Sequence, residues 1–266
     1  MRTDFAKNLT EILGLNIQLD SRQLAFLSDL AKKEIASFKE AWLKTPEERR
    51  RQIMSHLVKL QSDDLRIDFT RVFLVCLEDS DEDIRSQAIV GLEGKEDTSI
   101  ITHLIRLVKE DKSEKVRAAA VVALGQFGLL AAVKELSPPQ STEIYSTLLT
   151  IIEDVTETSE VKRRCLEAIA PLDSPRVREL IEQGYHSEDV KVKASALYAM
   201  GRNCDPAWLP IIIKEKDNNE PEIRYEVAEA CGELGVEEAI PILIDIAEDE
   251  DISIREASIK ASLRDQ

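Results

Sequence analysis

Glycine and proline are scarce in this chain, nine of each among 266 residues, too few for the tight turns of a β-sandwich or barrel. Aromatic side chains are only 5% of the total, so a large core has to be built from aliphatic residues. Cys76, Cys165, Cys204 and Cys231 are far apart and form no C-x-x-C pair, which argues against a disulfide framework or a structural zinc. Three of them fall in apolar helical runs, where buried thiols are expected. No uninterrupted apolar run approaches the roughly 18 residues of a bilayer-spanning helix, and Met1 to Phe5 begin no extended apolar signal. No membrane contact and a reducing, cytoplasmic location are therefore expected. Basic residues number 35 against 51 acidic ones, a formal charge of −16, which opposes phosphate attraction and makes nucleic acid an unexpected partner.

Good helix formers are abundant, and the chain repeats itself. Segments align on a basic residue preceded by an aliphatic one: Ile84-Arg85, Val116-Arg117, Val161-Lys162, Val192-Lys193, Ile223-Arg224 and Ile254-Arg255. Successive basic residues are 32, 45, 31, 31 and 31 positions apart. With the basic residue as zero, +3 and +6 are mostly small (Ala88 and Gly91, Ala120 and Ala123, Ala196 and Ala199), while +4 and +7 are mostly larger and apolar. Those positions share one side of a 3.6-residue helix with −1, so each segment is an amphipathic helix with a groove for a close neighbour.

A partner helix precedes each one: Leu65 to Leu77, Ile100 to Val108, Ile144 to Val155, Val177 to Ile181, Trp208 to Ile213 and Ala239 to Ala247. The acidic joins, such as Asp79-Ser80-Asp81 and Glu248-Asp249-Glu250-Asp251, suit helix starts. Gly125, Gly201 and Gly232 at +8, with Gly94 one place later, suit left-handed helix stops. A pair of about 31 residues cannot bury its apolar face alone, so such pairs stack. The motif of acidic turn, aliphatic, Arg/Lys, then Ala-x-x-Ala-Leu-Gly, clearest in Ser113 to Gly125, resembles the HEAT-repeat family, in particular its short bacterial subtype, the phycobilisome-lyase HEAT-like repeats. It covers about residues 63 to 264.

The resemblance implies an all-α, right-handed α-α superhelix of the HEAT/armadillo kind: about six helix pairs over residues 63–266, capped by residues 1–62 or a divergent first repeat there, in one continuous solenoid. Before residue 63, Ser21 to Leu43 and Pro46 to Leu60 read as two longer helices. An insertion near 126–142 reads as a short helix, Phe127 to Leu136, and a turn at Ser137 to Gln140.

The basic residues Arg85, Arg117, Lys162, Lys193, Arg224 and Arg255 lie angularly within the apolar set, which predicts an internal ladder of ion pairs with the acidic joins rather than a basic binding ridge. Surface chemistry is expected at +1, +5 and +9, the wall that is concave in stacked HEAT pairs. Val122, Arg163, Glu167, Tyr198, Tyr225 and Glu229 are the candidate partner-binding residues, with Tyr198 and Tyr225 as aromatic anchors in adjoining units. Residues 201–266 hold 7 basic and 17 acidic side chains, which favours a basic protein or peptide partner. His56, His103 and His186 lie in separate units without a His-Glu pair, so the likeness to di-iron hydroxylases built on HEAT repeats fails at their ligand motif; no phosphate loop or nucleophile elbow occurs. These readings predict a non-catalytic scaffold for protein or peptide binding, with no cofactor, no metal and no catalytic residue. The alternative is a phycobilin-lyase-like or chaperone-like subunit assisting modification of another protein. At the carboxyl end, Ile254, Ile259 and Leu263 lack a polar cap, which suggests docking on another subunit or a longer array.

Overall fold

The computed structural model describes residues 4–14, 19–64, 66–95 and 97–263, and among them finds helices, turns and loops but no β-strand. The all-α expectation is met. Two compact units divide the chain, residues 1–123 and 124–266. The first contains α1 (Phe5–Leu13), α2 (Ser21–Leu24), α3 (Lys32–Lys44), α4 (Glu47–Asp63), α5 (Thr70–Cys76), α6 (Glu82–Leu92) and α7 (Ser99–Glu110), followed by α8 (Glu114–Ala132). In the second, α9 (Pro138–Glu153) precedes α10 (Ser159–Ile169), α11 (Pro175–Tyr185) precedes α12 (Val190–Arg202), α13 (Leu209–Ile212) precedes α14 (Pro221–Leu234), and α15 (Ile240–Ile246) precedes α16 (Ile252–Ser262).

The small columns explain the stacking. α4 packs on α6 in the first unit, and α10 on α12, α12 on α14 and α14 on α16 in the second. At +3, Ala88, Ala120, Cys165, Ala196, Val227 and Ser258 are all buried, as are Ala168, Ala199, Ala230 and Ala261 at +6. Ser258 satisfies its hydroxyl by donating to the Leu243 carbonyl of α15. The larger apolar residues between them, such as Ile84, Ile89 and Leu197, are fully buried and each contributes about 1.5–3 kcal/mol relative to exposure. Helix starts follow the acidic joins: Asp81 accepts from the Ile84 amide, Asp189 from Lys191 and Asp251 from Ser253. Pro175 and Pro221 open α11 and α14, where a missing N–H costs nothing.

The +8 glycines correct the sequence reading. Gly201 and Gly232 lie inside α12 and α14, and the left-handed glycines are Gly94 and Gly235. What Gly201 and Gly232 supply is the absence of a Cβ. One added at Gly201 would stand 2.7 Å from Ala230 Cα, and one at Gly232 would stand 2.5 Å from Ala261 Cβ. Each +8 glycine thus admits the +6 alanine of the next unit, as Gly125 admits Ala168 at 3.5 Å.

Three more expectations are corrected. The insertion makes no separate short helix, because α8 continues helically through Gly125 to Ala132, and the proline turn instead opens α9 at Pro138. By length and composition alone, α8 is apolar enough to cross a bilayer; Val116, Ala120, Val121, Leu124 and Phe127 are buried. Near the amino end, the expected Ser21–Leu43 helix is broken. Asp29 adopts a left-handed backbone (φ 52°) and donates its amide to the Asp68 carbonyl, while the Ser28 hydroxyl accepts from the Asp68 amide. The partner helix expected from Leu65 begins at Thr70, and Leu65 itself lies outside the described residues.

Candidate functional site

The ladder positions fix how second helices meet. Arg85 donates from Nη1 to the Asp79 and Ser80 carbonyls of its own join, and grips Asp111 of the following join through Nε and Nη2 at 2.7 and 2.8 Å. Arg224 repeats this with the Asn218 and Asn219 carbonyls and with Asp249 at 2.7 and 3.0 Å. Arg117 and Arg255 donate to their own joins, at Asp111 and Lys112 and at Asp249 and Glu250. Lys193 pairs with Glu215 at 2.8 Å, and Lys162 stands beside Asp154. The Asp249 carboxyl is held below its ordinary range, first by the hydrogen bond from Arg224.

Along the +1, +2 and +5 columns of α10, α12 and α14 the side chains form a polar network in the second unit. Ser195 donates to Glu167 Oε1 at 2.5 Å, Arg164 Nη1 meets Glu167 Oε2 at 2.9 Å, and Arg163 Nη1 lies 3.4 Å from both Glu167 and Ser195. Glu160, one turn earlier on α10, accepts from Arg163 and Arg164. Tyr198 and Tyr225 are 36% and 37% exposed on α12 and α14, where Tyr198 sits in the fields of Arg202, Glu167, Glu233 and Glu226. Burial raises the Tyr198 hydroxyl. Arg202 pairs with Glu233 at 2.8 Å. Glu229 lies on the same face of α14, close enough to Glu226 to repel its charge. Val122 stands apart, 46% exposed on α8 within residues 1–123.

Glu226 is the residue that the sequence reading missed. It sits at +2, a position that lies at 200° around the helix beside +9, so the wall includes this column as well. Arg164, Ser195 and Glu226 fill it in successive units of the second half. Glu226 Oε2 is shielded from solvent and has no hydrogen-bond partner. Burial, then repulsion from Glu167, Glu229 and Glu222, pushes its carboxyl up to about 8 against the opposing pull of Arg164. A neutral acid with a free oxygen, beside a carboxylate already engaged by Ser195 and two arginines, can give or take a proton. The signal available in sequence was only the polar run Arg164, Ser195 and Glu226 at +2, between Ala119 and Ala257.

Metal chemistry does not fit these residues. His56 on α4 is exposed with Nδ1 2.8 Å from the Gln52 carbonyl oxygen, His103 lies on α7 near Glu78, and His186 follows α11 edge-on to Tyr185. Among the described residues no three His, Cys, Asp or Glu side chains converge to hold a metal ion. The thiols are no substitute: burial raises Cys76 and Cys165, and Cys231 to about 12.

Comparison with known proteins adds both a family and a correction. The family model for HEAT repeats matches residues 70–139 and 177–263, more than half the chain. Deoxyhypusine hydroxylase of Candida albicans is 25% identical over 128 residues, covering 47% of this chain and 40% of that protein. The enzyme of the same name from Eremothecium gossypii is 23% identical over 194 residues, covering 66% of this chain and 60% of the relative. The chain thus spans less than two thirds of the length of the curated relatives it matches. Among solved structures, the complex of CpcE and CpcF of phycocyanin lyase from Nostoc sp. gives a TM-score of 0.63 at 16% identity, covering 95% of this chain and 90% of that one. Yeast importin-beta gives 0.55 at 12% identity, covering 98% and 40%. The expectation of a non-catalytic scaffold, with no enzyme activity, is overturned by relatives that are named as enzymes. HEAT-repeat neighbours are also found in complexes with protein partners. Acidic joins, buried small columns and stacked second helices agree with the family match: the chain belongs to the HEAT-repeat family.

Proposed function

We propose that the chain is an enzyme, or the catalytic subunit of one, that modifies another polypeptide held along the wall of α10, α12 and α14. The observation that carries this reading is Glu226, a shielded carboxyl with one unpartnered oxygen at the edge of the Ser195–Glu167–arginine network. Its raised proton affinity makes it the acid at neutral pH, while Glu167, engaged on both oxygens, orients rather than transfers. Tyr198 and Tyr225 flank it with half-exposed rings that suit side-chain contacts, and the acidic excess of residues 201–266 suits a basic segment. Relatives named as a hydroxylase support an enzyme; the donor residues of this chain support proton transfer and give no step through a metal.

The test is mass spectrometry of the polypeptides of the source cell with the gene intact, deleted, and restored as Glu226→Gln. A mass change in a defined polypeptide should disappear on deletion and stay absent with the folded Glu226→Gln protein. Identical masses with and without the gene would remove the enzyme reading. Full restoration by Glu226→Gln would remove Glu226 from it.

A further inference from the structure

One rung of the ladder in the second unit has a base and no acid. Six places before Arg85, Arg117, Lys193, Arg224 and Arg255 stands a side chain that accepts from the amide two positions on: Asp79 from Asp81, Asp111 from Ser113, Ser187 from Asp189, Asn218 from Glu220 and Asp249 from Asp251. Where that side chain is aspartate it also pairs with the base of an earlier helix, Asp79 with Arg50, Asp111 with Arg85 and Asp249 with Arg224. Asn218 carries no charge, and there Lys193 pairs with Glu215 instead. Ser187 has no such substitute. Lys162, the base of that rung, is half-buried, and no carboxylate among the described residues lies within ion-pair distance of its Nζ. Asp154 acts on it through its field, with Oδ1 taken by Thr156, and Glu157 accepts from the Thr158 amide. Lys162 and Ser187 both line a cleft of about 510 Å³, the size of a small-ligand site, whose apolar side is made by Ile152, Leu166, Leu180 and Val192.

We propose that this cleft binds a small organic monocarboxylate with an aliphatic body, whose carboxylate stands against Lys162 as aspartate stands against Arg85 and Arg224. Charge and shape select that ligand. The Ser187 hydroxyl accepts from the Asp189 amide and keeps its own proton to donate, so a carboxylate meets an ammonium and an O–H together. The four aliphatic side chains beside them favour an apolar body over a bare anion. A phosphate or dicarboxylate fits poorly. The other cation of the lining, Arg163, gives Nε and Nη2 to Glu160 and Nη1 to Glu167, and Glu157 adds a negative charge. The lining runs from residue 152 to residue 192, outside the acidic stretch 201–266 that suits a basic polypeptide, so the two sites are distinct.

The full chain, labelled at leucine and valine methyls, is titrated with octanoate, and with 1-octanol and inorganic phosphate as probes of the apolar body and of the charge alone. Octanoate should shift the Leu166, Leu180 and Val192 methyls saturably and bind about tenfold more tightly than 1-octanol. Lys162→Met should remove that advantage, with its fold checked by the methyl spectrum away from the cleft, whereas Lys162→Arg should keep it. Ser187→Asp gives the rung an acid of its own, and should raise the melting temperature while abolishing octanoate binding. Absence of the methyl shifts overturns the proposal, as does equal affinity for octanoate and 1-octanol, phosphate binding as tight as octanoate, or octanoate binding unchanged in Lys162→Met or Ser187→Asp. None of these readouts passes through Glu226 or the modification of a polypeptide, so the two readings fail separately.

Discussion

The second-helix walls of the two units share a frame and differ in chemistry. In residues 1–123 the wall positions are Ser86, Gln87 and Val90 on α6, then Ala118, Ala119 and Val122 on α8, a mostly small or aliphatic surface. In residues 124–266 the same columns hold Arg163, Arg164 and Glu167, then Ala194, Ser195 and Tyr198, then Tyr225, Glu226 and Glu229, then Glu256, Ala257 and Lys260. The frame beneath is nearly unchanged: Arg85 grips Asp111 and Arg224 grips Asp249 with the same atoms at almost the same distances. The repeat therefore constrains the inward columns and leaves the outward ones free to diverge. The proposed chemistry lies where the outward columns turn polar.

The comparison breaks if the frame is not shared, and Arg224→Ala tests that with the largest expected effect. Its side chain and that of Asp249 are each only 9% exposed, so removal strands a buried carboxylate and should cost about 3 kcal/mol of unfolding free energy. Arg85→Ala should cost a similar amount in the first unit. Urea unfolding of both variants checks this, and a large loss in one with none in the other would mean that the two frames differ. Next comes Gly232→Ala, whose new methyl meets Ala261 Cβ at 2.5 Å and should cost about 1–3 kcal/mol by overpacking. Stability unchanged there would return the glycine to a conformational role.

Glu226→Gln sharpens the contrast through pH. The folded chain holds the Glu226 proton up to about 8, whereas the unfolded chain releases it near 4.5. Between those values the folded state binds the extra proton, so this group's contribution to stability falls as pH rises through the window. Glu226→Gln should remove that slope, leaving the melting temperature similar near pH 5 and a few degrees higher than wild type at pH 9. Parallel melting curves at both pH values would show that Glu226 ionises normally.

Most of the frame was legible because it repeats: aliphatic −1, small +3 and +6, and acidic joins recur at 31-residue spacing and need only helix geometry to interpret. The +8 glycines were legible as a column but not in purpose, since a glycine that relaxes φ and one that removes a Cβ look the same until Ala230 and Ala261 are seen against them. The break at Asp29 depends on a hydrogen bond to Asp68, about forty residues away, which local propensity does not contain. Glu226 escaped notice for a different reason. A glutamate on an acidic helix reads as solvated, and only tertiary packing shields its Oε2 from water. The candidate positions Arg163, Glu167 and Tyr198 lie around one network, while Val122 lies in the other unit.

Val122→Ser is the smallest perturbation and the most direct probe of the divergence between walls. The side chain is 46% exposed on α8, and its neighbours in the wall column are Ala118 and Ala119, so the substitution removes little buried surface. Stability should stay within about 0.5 kcal/mol of wild type. Serine also adds a hydroxyl that water satisfies at that exposure, so no unpaired polar group results. The proposed proton transfer belongs to the second unit's wall, and polypeptide modification by Val122→Ser should equal that of wild type in the assay that Glu226→Gln fails. A loss as large as that of Glu226→Gln would place substrate on the aliphatic wall too, and the division of labour between the two surfaces would no longer hold.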